Sequence, residues 1–120
     1  MKGLIFFSFL TLMIFTSCKR VYYDLGQEFS IIYHSSTNDY VFTYRNEGLV
    51  KNVTKFYADD SNIILQLSTY EYVLVNRVVV INNYGKNYKE MKSGMKTYGD
   101  LNKIEVELGY TEKIELKKIW

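Results

Sequence analysis

Few side chains in this sequence have the chemistry for catalysis or metal binding. The 120-residue chain contains one histidine, His34, and one cysteine, Cys18. An internal disulfide and an ordinary structural zinc site are therefore excluded. His34 falls at the end of a predicted strand without an evident nucleophile or carboxylate partner, so we interpret it as a polar rim residue rather than a general base. We predict that the chain is not an enzyme and needs no metal or cofactor.

Some acidic residues lie close together in the sequence, as the oxygen ligands of a metal site would. Residues 59–62 (Asp-Asp-Ser-Asn) place oxygen ligands in a row but lack the spaced acids and central glycine of a calcium loop, which favours a solvated turn. Glu105 and Glu107 share a predicted short helix with Lys103, and Glu115 lies among lysines. We interpret these glutamates as parts of solvated faces.

The N-terminal segment has the pattern of a secretory signal. Lys2 supplies a positive charge, and an apolar run from Gly3 to Phe15 ends at Thr16 and Ser17. As a helix at about 1.5 Å per residue, Gly3 to Ser17 spans about 22 Å, less than the ~30 Å hydrocarbon core of a bilayer. The segment therefore indicates an export signal rather than a permanent transmembrane helix.

The residues that end this segment resemble a known processing motif. Phe15-Thr16-Ser17-Cys18 is similar to the lipobox of bacterial lipoproteins, in which a small residue precedes an invariant cysteine, although Phe15 stands where leucine is usual. The resemblance implies cleavage after Ser17, a diacylglyceryl thioether on the Cys18 sulfur and acylation of the freed amine, for example by palmitate. Two or more acyl chains hold a protein firmly on a membrane. The alternative is an unmodified cysteine beside an ordinary signal peptide, whose peptidase disfavours a bulky Phe15.

The lipobox resemblance sets the expected organisation and location. Residues 1–17 are a signal peptide, and 18–120 form one small β-rich domain anchored by lipidated Cys18. An acidic stretch after the cysteine resembles a surface-export signal, and an aspartate directly after it resembles an inner-membrane retention signal. Lys19 to Tyr23 contain neither. We therefore expect the periplasmic face of the outer membrane in a bacterial cell envelope.

A weak internal repeat organises the mature chain. A shift of 32 residues aligns Ser30–Arg45 with Asn62–Arg77, with seven of sixteen positions identical. In each copy an apolar run is followed by a Ser-Thr turn region and a second run rich in β-branched and aromatic residues, as in a β-hairpin. The repeat therefore predicts an antiparallel meander of two repeat-related hairpins. The predicted strands are 21–25, 27–34, 39–45, 49–57, 62–68, 70–76 and 78–82.

The predicted elements after the repeat are a buried strand, a loop and a helix. Val78–Ile81 is apolar on both faces, which predicts a central strand. Residues 84–96 are polar and contain glycines, which predicts a loop with at most short structure. Residues 100–108 are the best helix, with Asp100 as N-cap, Gly109 after its end and an apolar face of Leu101, Ile104 and Leu108. Residues 112–120 fit a strand or a helix almost equally well.

The predicted fold class is therefore mainly β (α+β), a meander with one short C-terminal helix. This order is similar to small uncharacterised lipoproteins of Bacteroidetes-type genomes, over Tyr22–Val80 and Asp100–Leu108. The resemblance is one of pattern and implies no particular activity.

Tyrosine is the remaining feature. The chain has 12 tyrosines and a nearly balanced charge of 15 basic and 13 acidic residues, which argues against a nucleic-acid partner. The tyrosines are either core and cross-strand pairs or a surplus exposed for contact. Contact is predicted through exposed aromatics of the sheet or, if no strand face supplies the site, through residues 84–98. The latter is the preferred contact region, where Tyr84, Tyr88 and Tyr98 alternate with Lys86, Lys89, Lys92 and Lys96.

These features predict a membrane-anchored envelope lipoprotein that acts as a non-catalytic binding module for a protein partner, either immunity-type or a subunit of a complex. Its other contact is with the membrane through the covalent lipid. The alternative is a small envelope hydrolase or carbohydrate-processing protein, which needs two carboxylates roughly 5 to 10 Å apart in a concave site.

Overall fold

A computed structural model describes residues 20–119 of the chain, so the predicted signal peptide and Cys18 lie outside the described residues. Antiparallel strands dominate the described part, which confirms the predicted mainly β (α+β) class. The chain divides into two compact units, and the boundary between them in sequence falls between Lys51 and Asn52.

The first unit is a four-stranded antiparallel meander in the order β1-β2-β3-β4. The strands are β1 (Arg20–Gly26), β2 (Phe29–His34), β3 (Asp39–Tyr44) and β4 (Glu47–Val50). Two-residue turns join β1 to β2 and β3 to β4, and in each turn both residues have positive φ, as in type I′ hairpins. Inside the sheet, the rings of Phe29 and Phe42 stack with centroids 5.7 Å apart, and both side chains are fully buried.

The second unit contains a five-stranded antiparallel sheet in the order β8-β7-β6-β5-β9. The strands are β5 (Val53–Ala58), β6 (Asn62–Leu67), β7 (Tyr72–Asn76), β8 (Met95–Tyr98) and β9 (Lys117–Lys118). Three helices accompany them, namely α1 (Arg77–Asn83), α2 (Tyr88–Ser93) and α3 (Leu101–Leu108). Four successive residues of β6, from Ile63 to Gln66, are buried, so this strand is covered on both faces.

The predicted C-terminal helix is confirmed as α3. Asp100 caps its first turn, with the side chain accepting from the Asn102 N–H at 2.9 Å, and Gly109 ends it with a φ of 72°. Ile104 is fully buried against Ile64 and Leu74 of the sheet. Leu101 and Leu108, also predicted to be buried, are half-buried at the edge of the same cluster.

The two predicted hairpins are present as β2–β3 and β6–β7. Ile31 and Ile63, which the repeat makes equivalent, are both fully buried inside their sheets. The registers nevertheless differ by one residue, because Ile31 lies opposite Phe42 whereas Ile63 lies opposite Val75. The repeat thus preserves the hairpins but not the pairing of their side chains.

Several predicted boundaries are wrong for local reasons. The predicted strand 78–82 is part of α1, because the Asn76 side chain accepts from the Val79 N–H at 3.3 Å and caps a helix that buries Val80. The predicted strand 49–57 is interrupted at Asn52, whose φ of 61° separates β4 from β5. The predicted loop 84–96 contains α2 and the start of β8. Of the predicted terminal element at 112–120, the described residues 112–119 contain only the short β9.

Candidate functional site

Helix α2 forms the centre of the predicted contact region. The Asn87 side chain accepts from the Glu90 N–H at 3.2 Å and starts the helix, and Met91, only 4% exposed, anchors its inner side. Tyr88 and Lys92 are one helical turn apart and lie on the outer side. A capped and anchored helix therefore presents a tyrosine and lysines to solvent.

The three tyrosines of this region have different roles. Tyr88 is 68% exposed. Tyr84 is half-buried just after α1, where its N–H donates to the Val80 carbonyl. Tyr98 packs against the core cluster under α3, and its hydroxyl donates to the Glu107 carboxylate. Only Tyr88 of the three is thus fully available for contact, whereas Tyr98 supports the fold.

The charge around Tyr88 is mainly basic, although Glu90 of the same helix is also exposed. Lys86, Lys89 and Lys92 are exposed, and the Lys92 ammonium lies 5.5 Å from the centroid of the Tyr88 ring, within cation–π range. The fourth lysine of the region, Lys96, lies 3.7 Å from Glu107. We define the Tyr88 surface as Lys86, Tyr88, Lys89 and Lys92.

A second cluster surrounds Asp59, in the turn predicted to be solvated. One carboxylate oxygen, Oδ1, accepts from the N–H groups of Ser61 and Asn62 at 2.9 and 2.7 Å. The other, Oδ2, accepts from the hydroxyls of Tyr57 at 3.1 Å and Tyr110 at 2.5 Å. Asp59 is therefore an organised part of the fold, while its neighbours Asp60 and Ser61 are exposed as expected.

These contacts perturb the titration of the cluster. Partial burial alone would raise the pKa of the Asp59 carboxyl, but the hydrogen bonds from Tyr110, Asn62, Ser61 and Tyr57 together hold that pKa below its ordinary value. The hydrogen bond to Asp59, reinforced by burial, raises the pKa of the Tyr110 hydroxyl. A carboxylate that already accepts four hydrogen bonds is suited to fixing the turn rather than to acting as a base.

Arg77 closes the same turn from the start of α1. It is 4% exposed, and its Nε donates to the Asp59 carbonyl at 2.8 Å. Burial lowers the pKa of this guanidinium, and the charges of Asp59 and Asp60 oppose that effect. The sequence pattern does not indicate this cluster, because Tyr110 lies 51 positions from Asp59. The only local signal was Tyr57, two residues before the aspartate.

The other predicted site residues are distributed over the fold. His34 is exposed at the end of β2, where its Nδ1 lies 2.7 Å from the Ser36 hydroxyl. Glu105 accepts from the Ile114 N–H at 2.6 Å, and so fastens the chain after α3 rather than lying on a solvated face. Glu115 is exposed on the wall of a cleft of about 460 Å³ beside Tyr57 and Tyr110.

Within residues 20–119, no three His, Cys, Asp or Glu side chains are grouped so that they could hold a metal ion. No helix of the same range is long and apolar enough to cross a membrane. The chain matches no protein-family model, no curated protein and no solved structure.

Proposed function

We propose that the protein is a lipid-anchored, non-catalytic binding module of a bacterial cell envelope, and that the Tyr88 surface contacts its protein partner. The observation that carries this proposal is the 68% exposure of Tyr88 on a helix that is capped by Asn87 and anchored by Met91. An exposed tyrosine on a rigid element can bury a large area with little loss of side-chain freedom.

The charges of the surface indicate the chemistry of the partner. Between residues 84 and 98 there are four lysines and one glutamate, Glu90. Lysines at the rim of an interface accelerate association with an oppositely charged surface and suppress association with basic ones. We therefore propose an acidic protein surface as the partner, with a pocket or flat apolar area that receives the Tyr88 ring.

The anchor is the second part of the proposal and rests on the lipobox resemblance at Phe15–Cys18. Strand β1 begins at Arg20, so only Lys19 separates it from the proposed lipidated residue. Lys19 and Arg20 would lie near the headgroups, where each contributes about 1 kcal/mol if the lipids are anionic. A tether this short holds strand β1 close to the membrane, so we propose a partner in the cell envelope.

The contact is tested by pull-down from solubilised membranes with the wild type, Tyr88→Ala, Lys89→Glu and, as a matched control, Tyr70→Ala. Tyr70 is also a highly exposed tyrosine, at 77%, but lies on a different element. We expect the wild type and Tyr70→Ala to recover the same acidic protein, and Tyr88→Ala and Lys89→Glu to lose it. Equal recovery by all four proteins would refute the Tyr88 surface. A hydrolytic activity abolished by Glu115→Gln would refute the non-catalytic function.

A further inference from the structure

A row of directly opposed side chains crosses all five strands of the second sheet. From β9 to β8 the row consists of Lys118, Lys55, Gln66, Tyr72 and Tyr98, each paired with the next in the strand register. Directly opposed residues of antiparallel strands project from the same face of a sheet. The row thus begins with two lysines side by side.

Two opposed lysines are unfavourable unless something compensates them. Like charges directly across a strand pair repel and destabilise the sheet. Within residues 20–119, neither the Lys55 nor the Lys118 ammonium forms an ion pair with an acidic side chain. Lys55 is half-buried, which further increases the cost of an uncompensated charge. The pair of lysines therefore favours the binding of an anion.

The two lysines share a cleft of about 490 Å³, a size typical of sites for small molecules. The lining contains no acidic residue and consists of Thr54, Lys55, Gln66, Leu67, Ser68, Tyr70 and Lys118. Hydroxyl and amide groups of this lining can bond to polar groups of a ligand, and Leu67 and Tyr70 provide an apolar wall.

Tyr70 provides a second and independent indication of a site. It has a φ of 68° in the turn between β6 and β7, a left-handed conformation that bulky residues rarely adopt, yet it is 77% exposed. Its N–H donates to the Leu67 carbonyl, and the Leu67 N–H donates to the Glu71 carbonyl, so the turn is fixed. The equivalent position of the first hairpin is Asn38, with a φ of 53°, a residue that tolerates this conformation. Packing does not account for a tyrosine here, because its side chain is largely exposed.

We propose that this cleft binds a sugar that carries a phosphate or carboxylate group. The oxyanion lies between the Lys55 and Lys118 ammonium groups and neutralises their repulsion. The sugar ring lies against the exposed Tyr70 ring, and its hydroxyls bond to Ser68 and Gln66. A neutral sugar lacks the group that the lysines attract, and a simple anion lacks the ring that Tyr70 contacts.

Calorimetric titration of the full lipidated protein in neutral detergent tests the proposal. The probes are glucose 6-phosphate, glucuronate, glucose, inorganic phosphate and glycerol 3-phosphate, which represents a lipid headgroup. We expect the two anionic sugars to bind most tightly and glucose not to bind. Tighter binding of glycerol 3-phosphate than of the two anionic sugars would indicate a lipid headgroup as the ligand and would overturn the proposed sugar. The absence of binding by every anion would overturn the site.

Variants separate a ligand site from a structural role. Lys55→Gln should weaken binding of glucose 6-phosphate about tenfold, as expected from loss of one charge-assisted hydrogen bond, yet raise the melting temperature because it removes the repulsion. Tyr70→Asn should also raise the melting temperature. It should weaken the binding of glucose 6-phosphate more than the binding of inorganic phosphate. Lys89→Gln, on the Tyr88 surface, is the matched control and should leave binding unchanged. A Lys55→Gln protein that binds like the wild type would overturn the proposal, whatever the result for the Tyr88 surface.

Discussion

The Tyr110 hydroxyl donates to the Asp59 carboxylate across 2.5 Å, although the two residues are 51 positions apart in the chain. This bond ties the segment after α3 to the turn between β5 and β6. Because the acceptor is ionised, the bond belongs to the stronger class of hydrogen bonds in proteins.

Removal of this hydroxyl should destabilise the protein measurably. We expect Tyr110→Phe to lower the free energy of unfolding by about 1–3 kcal/mol, since one donor to a charged group is lost. Urea unfolding followed by circular dichroism measures the change. Tyr88→Phe makes the same chemical change at an exposed position and should alter stability little. Equal effects of the two substitutions would contradict a structural role for the Tyr110 bond.

The Asp59 cluster should also make stability depend on pH in the acidic range. The folded state holds the pKa of Asp59 below its ordinary value of 3.8, so its contribution is fully present above that pH and is lost as the pH falls through the folded-state pKa. The stability difference between the wild type and Asp59→Asn should therefore narrow below pH 3.8. Asp60→Asn serves as the control at an exposed neighbour. A difference that stays constant from neutral pH to pH 3 or below would be inconsistent with this mechanism.

The packing of α3 on the sheet gives a prediction about the core. Ile104 is fully buried and Val106, on the same helix, is 73% exposed. We expect Ile104→Ala to cost about 2–5 kcal/mol of unfolding free energy, because it leaves a cavity. Val106→Ala should stay within about 0.5 kcal/mol of the wild type. Thermal or urea unfolding of the two variants measures the difference. A comparable loss of unfolding free energy in both variants would contradict the packing of α3 on the sheet through Ile104.

Lipidation is tested separately from the fold, because Cys18 lies outside the described residues. Labelled palmitate should be incorporated into the wild type and not into Cys18→Ser, and only the wild type should fractionate with membranes. Cys18→Ala distinguishes the thiol from any effect of the serine hydroxyl. An unlabelled wild-type protein released from the membrane fraction would refute the anchor.

Sequence signals predicted elements whose start and end are encoded nearby. Asp100 and Gly109 delimit α3 within ten residues, and the Ser-Thr turn regions mark both hairpins. The β-branched residues of Val78–Ile81 favour a strand, which is why the sequence predicts one there. In the structure the segment is helical, because Asn76 caps the helix and Val80 is buried by it. Here tertiary packing outweighed the intrinsic preference of the residues.

Equivalent positions of the repeat have different environments in the structure. Arg45 and Arg77 are equivalent in sequence, yet Arg45 is exposed, has a φ of 51° and lies 2.7 Å from Glu28. Arg77 is buried, begins α1 and bonds to the Asp59 carbonyl. The contact of Asp59 with Tyr110 and the pairing of Lys55 with Lys118 likewise join distant positions. Such pairings depend on which segments meet, which a pattern of neighbouring residues does not specify.

The strand order also has a consequence for how the molecule reaches its native state. Every pairing of the first sheet joins strands that are consecutive in the chain, so each requires only a short loop to close. By contrast, the two residue pairs that join β5 to β9 are 61 and 63 positions apart in the chain. The two-residue strand contributes few hydrogen bonds to offset the entropy lost on closing so long a loop. We expect β9 to dock last during folding and to open first, so that its amide protons exchange fastest among the strands of that sheet. The cleft between Lys55 and Lys118 then exists only while the end of the chain is docked, and a ligand held there would slow that opening.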